Sequence, residues 1–181
     1  IFINILRYFD YMSEMLDDNN VKVGKILFLE SIEGFYSYLS GMHNSLNKFC
    51  DEVILFSRKN NYFKYGKDKM NKMLLDIVKK EKPDYIFTWL TWDEFYLEAL
   101  LKIKEISPNT KTVVIFGDDV HQFDDFSRYY VLFFDYAFTT LKSYLPRYLE
   151  EGVDNIFLTS LTALSNFKSK KLSTPPAEYD E

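Results

Sequence analysis

Asp118, Asp119, His121, Asp124 and Asp125 crowd into one short stretch. A carboxylate beside an imidazole can take a proton from a hydroxyl, since histidine titrates near pH ~6.5. Carboxylates can also hold substrate hydroxyls or a divalent metal. The spacing fits no metal-ligand pattern. The adjacent pair Asp118-Asp119 also differs from the D-x-D arrangement in which two carboxylates clasp one metal-bound nucleotide, so no metal is expected. Asp118 and Asp119 are the leading candidates for a base or for hydroxyl binding, with His121 behind them. Gly117 opens the same turn and is grouped with the substrate contacts.

Other side chains suit a polar organic ligand. Trp89 and Trp92 flank Thr91, and their rings either stack on a sugar or pack into a core. Thr139 and Thr140 offer two hydroxyls that either meet a ligand or cap a helix. The turn Glu30-Ser31-Ile32-Glu33-Gly34 lacks the G-x-G-x-x-G pattern that lets backbone amides approach a pyrophosphate. Its two glutamates would repel phosphate, and a Walker A loop is absent. Ser31 and the Gly34 amide remain candidates for a neutral sugar or acceptor, against an ordinary turn into a helix.

These residues need a scaffold that brings them to one edge. Short apolar runs at 25–29, 52–56, 84–90, 111–116, 136–140 and 156–158 read as strands. Between them, helices are predicted over 35–49, 91–106, 124–134 and 146–151. Another is predicted where Met70, Met73, Leu74, Ile77 and Val78 form one apolar stripe. Lys69, Lys72, Lys79 and Lys80 read as its solvated face, and residues 57–67 as a polar connector before it. Thr91-Trp92-Asp93-Glu94 has the S/T-x-x-E pattern of a helix start, and Asp124 stands where it would cap the short aromatic helix. Alternating strands and helices imply an α/β, Rossmann-like parallel sheet with helices on both faces. In such a sheet ligands bind beyond the carboxyl ends of the strands, where Asp118 and Asp119 fall.

Composition narrows the function class. The 181 residues, 47% of them hydrophobic, are enough for one domain with a sizeable core. Their net charge is −5, with lysines spread among acids, so no nucleic-acid partner is expected. Cys50 is the only cysteine, which excludes an intrachain disulfide and suits a reducing cytoplasm. Residues 1–22 read as an upstream amphipathic helix, too short and too charged to span a membrane. Residues 23–167 read as the Rossmann-like domain. Residues 168–181, polar and containing Pro175-Pro176, read as a linker toward a C-terminal domain.

The order of several pieces resembles a known family. Lys82-Pro83-Asp84-Tyr85-Ile86-Phe87 is followed by Phe116-Gly117-Asp118-Asp119. Phe134-Asp135-Tyr136-Ala137-Phe138-Thr139-Thr140, Tyr148-Leu149-Glu150-Glu151-Gly152 and Leu161-Thr162-Ala163 come next. This succession resembles the N-terminal domain of the bacterial spore-maturation (CgeB-like) glycosyltransferases of the two-domain GT-B class, over roughly 25–167. The resemblance implies sugar transfer from a nucleotide-sugar donor to a glycan or protein acceptor, without a D-x-D metal. It places the acceptor side of the cleft here and the donor nucleotide in a C-terminal donor-binding domain. This half alone is then expected to be inactive and to carry no cofactor, and its docking face to favour self-association. Asp118 and Asp119 match the family's acidic pair. A non-catalytic α/β binding domain is the competing expectation.

Overall fold

The computed structural model describes residues 23–30, 43, 46, 47, 49–90 and 93–159. Six strands form one sheet: β1 (Val23–Glu30), β2 (Cys50–Ser57), β3 (Tyr85–Leu90), β4 (Lys111–Phe116), β5 (Tyr136–Thr139) and β6 (Ile156–Leu158). Their order is β2-β1-β3-β4-β5-β6, and every pair is parallel. This is a Rossmann-like α/β fold.

The strand order dictates where the helices lie. The chain steps one way from β1 to β2, then steps the other way for every later crossover. Right-handed crossovers therefore put the first connection on one face and the rest on the other. The two apolar clusters follow that division. On one face Leu27, Leu29, Val114 and Phe116 pack with α1 (Arg58–Glu81), α2 (Leu97–Ile106) and the helical residues after β4. On the other, Ile26, Phe28, Phe87, Val113 and Phe138 pack with the helical residue Leu46. Within α1, Met70, Leu74 and Val78 are fully buried, each contributing about 1.5–3 kcal/mol of apolar burial. α1 ends at Lys82 in the left-handed region (φ 44°), directly before Pro83.

Three local expectations are corrected. Residues 57–67 are not a connector: α1 starts at Arg58 and is broken only at Gly66 (φ 82°, ψ 166°). Tyr62 packs on the core there, and Arg58 is fully buried. α2 begins at Leu97 rather than at the capping-box pattern, because Glu94 is taken up by a buried ion pair. The helical stretch after β4 begins early, at α3 (Asp119–Gln122). It passes through a π turn, Phe123–Ser127, and then Arg128–Tyr130 and Val131–Phe133. The wider turn lets Phe123, Ser127, Tyr130 and Val131 all face inward. Asp124 lies inside that turn and pairs with Arg147 rather than capping. The segment α4 (Leu145–Glu150) carries Pro near its start, and Gly152 follows at φ 81°.

Candidate functional site

The direction of strand crossover reverses between β1 and β3, so the crevice at their carboxyl ends is the expected ligand position. Glu30 ends β1 and Leu90 ends β3. β4 lies next to β3, and its Phe116 pairs in register with Leu90. The turn Gly117-Asp118-Asp119 therefore adjoins this crevice.

The two adjacent aspartates have opposite fates. Asp119 is 1% exposed. Three hydroxyls donate to it: Ser127 Oγ at 2.6 Å, Thr139 Oγ1 at 2.6 Å and the Tyr148 phenol at 2.7 Å. These partners come from the π turn, from β5 and from α4, so one carboxyl group ties three elements to the end of β4. Burial pushes the Tyr148 hydroxyl well above the usual tyrosine range; Ser127 opposes this and Asp119 adds to it. Asp119 is enclosed rather than turned toward a ligand, and its neighbour Thr139 is buried with it. The Thr139 oxygen also accepts the Leu141 N–H at 3.1 Å. Both residues are placed to position the rim.

Asp118 is exposed, and among the described residues its carboxyl group has no partner. It is the residue before α3, but its side chain makes no capping bond. His121 is also exposed, one turn on, its N–H donating to the Asp118 carbonyl at 3.1 Å. Gly117 meets Trp89: a Cβ on the glycine would lie 2.7 Å from the indole ring. The half-buried indole therefore packs over the start of the turn only because residue 117 lacks a side chain. Thr140 closes the rim, its hydroxyl donating to the Gly117 carbonyl at 3.3 Å and its N–H to that of Phe116. Gly117, Asp118, His121, Trp89 and Thr140 thus share one edge.

The rim around the crevice is held by residues that the sequence patterns did not single out. Arg58, directly after β2, is fully buried and forms an ion pair with Glu94, beyond β3. It therefore spans the position of β1, the strand between them. Its Nη2 donates to the Trp89 carbonyl at 2.5 Å. The Nη1–Glu94 contact lacks hydrogen-bond geometry, and Nε has no hydrogen-bond partner. Burial pushes the guanidinium down to about 9, and Glu94 is its ion-pair partner. Asn71 donates to the Glu94 carbonyl at 3.0 Å and accepts the Tyr96 N–H at 3.0 Å. The Tyr130 hydroxyl shares its one proton between Asp93 and the Phe95 carbonyl, and Lys67 pairs with Asp93 at 2.8 Å. Residues 93–96 are thereby fixed at both ends and in the middle. Glu94 was hidden in sequence by its fit to a local capping pattern. Arg58 was hidden in a run of polar residues.

Ser31, Gly34 and Trp92 lie outside the described residues. The acidic run is dispersed: Asp119 is enclosed and Asp124 pairs with Arg147 at 2.6 Å. Among the described residues no group of His, Cys, Asp and Glu is arranged to hold a metal ion, and no helix is long and apolar enough to cross a membrane. Chemically, among the described residues the edge offers the Asp118 carboxyl group, the His121 imidazole, the Trp89 ring and the Thr140 hydroxyl. That combination suits a polyhydroxylated ligand and a single proton transfer. No protein family, curated protein or solved structure matches the chain.

Proposed function

We propose that this chain is the acceptor-side half of a GT-B glycosyltransferase that moves a sugar from a nucleotide-sugar donor to a glycan or protein acceptor. The observation that carries the reading is Asp118, a carboxyl group without a partner at a strand's carboxyl end, beside the half-buried Trp89 indole. The order of sequence pieces from Lys82 to Ala163 supports the same class. Asp118 takes the proton of the acceptor hydroxyl as its oxygen bonds to the anomeric carbon. The bond from that carbon to the nucleotide breaks, and the nucleotide leaves with the electron pair. Trp89 offers a face for a sugar ring, and Thr140 a hydroxyl to orient it. Asp119 works through position: by anchoring the turn it fixes where Asp118 points. The donor nucleotide belongs to a C-terminal donor-binding domain.

The test is release of nucleotide from a panel of uridine-, guanosine-, thymidine- and cytidine-linked sugars by the full natural protein, with and without cell-envelope glycan and protein fractions. Acceptor-dependent release from one donor is expected. No release from any donor, with the protein folded, would assign the domain to non-catalytic binding instead.

A further inference from the structure

The first part of α1 concentrates positive charge. Between residues 59 and 72 stand Lys59, Lys64, Lys67, Lys69 and Lys72 against one acid, Asp68, in a chain of net charge −5. The same segment exposes aromatic rings. Tyr62 packs inward on the core, whereas Phe63, Lys64 and Tyr65 are exposed. Phe63 is 73% exposed and Tyr65 is 38% exposed. Lys64 and Lys69 place their ammonium groups 5.1 Å and 4.6 Å from the centre of the Tyr65 ring. At Gly66 the helix breaks, and open space surrounds the glycine. The segment starts directly after β2, so this knuckle stands on the carboxyl rim of the sheet.

We propose that this knuckle docks the protein on the surface of an anionic lipid bilayer. Phe63 enters the boundary between headgroups and acyl chains, and Lys64, Lys69 and Lys72 meet the acidic headgroups. An exposed aromatic ring among lysines supplies the two contributions to interfacial attachment, buried apolar area and attraction to anionic lipid. The chain's net negative charge does not forbid it. Screening at physiological salt acts over about 8 Å, so the bilayer feels the local patch more than the whole. An extended nucleic acid would want a groove lined by cations, whereas this segment is flanked by the carboxyl groups of Asp68 and Asp93. Attachment of this kind is peripheral and reversible. It does not depend on the glycosyl-transfer reading.

The test is flotation of the full chain with vesicles of phosphatidylcholine alone and of phosphatidylcholine mixed with phosphatidylglycerol. Binding is expected only to the mixed vesicles and should weaken as salt rises. Each lysine near the surface is worth about fivefold in partitioning, so Lys64→Gln/Lys69→Gln should bind about 25-fold more weakly. Phe63→Ala should lose about tenfold. Lys79→Gln/Lys80→Gln, at the far end of the helix, should bind as the unaltered chain does. Circular dichroism confirms that each variant is folded. Equal binding to neutral vesicles, no binding to either, or equal binding by Lys64→Gln/Lys69→Gln would overturn the proposal. So would retention on single-stranded DNA or heparin without vesicle binding.

Discussion

Asp118→Ala and Asp119→Ala remove the same atoms from neighbouring positions, yet should differ by several kcal/mol in stability. Asp119 accepts three hydroxyl hydrogen bonds at 2.6–2.7 Å in a site closed to water. Bonds to a charged acceptor are worth about 1.5–3 kcal/mol each. Taking the low end for three bonds, and allowing the stranded hydroxyls some re-pairing, Asp119→Ala should cost about 4 kcal/mol. For a chain of this length 1 kcal/mol moves the melting midpoint by about 3 °C, so a fall of about 12 °C is expected. Asp119→Asn keeps the shape but puts an amide NH2 against hydroxyls that now donate, and should cost about 2 kcal/mol. Asp118→Ala removes an exposed group without a partner and should stay within about 0.5 kcal/mol. Urea denaturation followed by tryptophan fluorescence measures all three. If Asp119→Ala and Asp118→Ala fall within about 1 kcal/mol of each other, the anchoring role of Asp119 is wrong.

The Arg58–Glu94 pair should show the signature of a buried ion pair. Arg58→Met or Glu94→Leu alone should cost about 3–5 kcal/mol by leaving one charge buried, while the double substitution should recover most of it. Additive losses in a double-mutant cycle would refute the pairing. Asp135 predicts an acid limb. Burial alone would raise its carboxyl group. The Lys104 ammonium and the Thr112 N–H and hydroxyl, at 2.7 and 2.9 Å, outweigh burial and hold it below 3.8. A carboxyl group depressed in the folded state adds stability above its unfolded value and loses it as pH falls through the folded one. Stability should therefore drop from about pH 4 downward. Asp135→Asn should lower stability at neutral pH and flatten that drop; an unchanged slope would contradict it.

The strands were legible because parallel strands buried on both faces are continuous apolar runs. Lys111–Phe116 and Ile156–Leu158 match the residues read from sequence. The stripe from Met70 to Val78 located α1 because 3.6-residue spacing survives any tertiary context. What was not legible depended on partners far along the chain. The S/T-x-x-E pattern at 91–94 is a local signal, but Glu94 is claimed by Arg58, thirty-six positions away, and the helix waits until Leu97. The stretch 57–67 reads as polar, yet Arg58 is buried in an ion pair and Tyr62 packs on the core. The aspartate pair was placed correctly at a strand end. No pattern told Asp118 from Asp119, because the difference lies in Ser127, Thr139 and Tyr148 converging on only one of them.

The most direct measurement is the rate of sugar transfer by the full natural protein carrying Asp118→Asn. As a general base, Asp118 should contribute about 10²–10⁴-fold. A loss in that range is expected, with the melting midpoint unchanged and the donor affinity intact. Transfer at the unaltered rate by Asp118→Asn would contradict the assignment of the base and, with it, the proposed site.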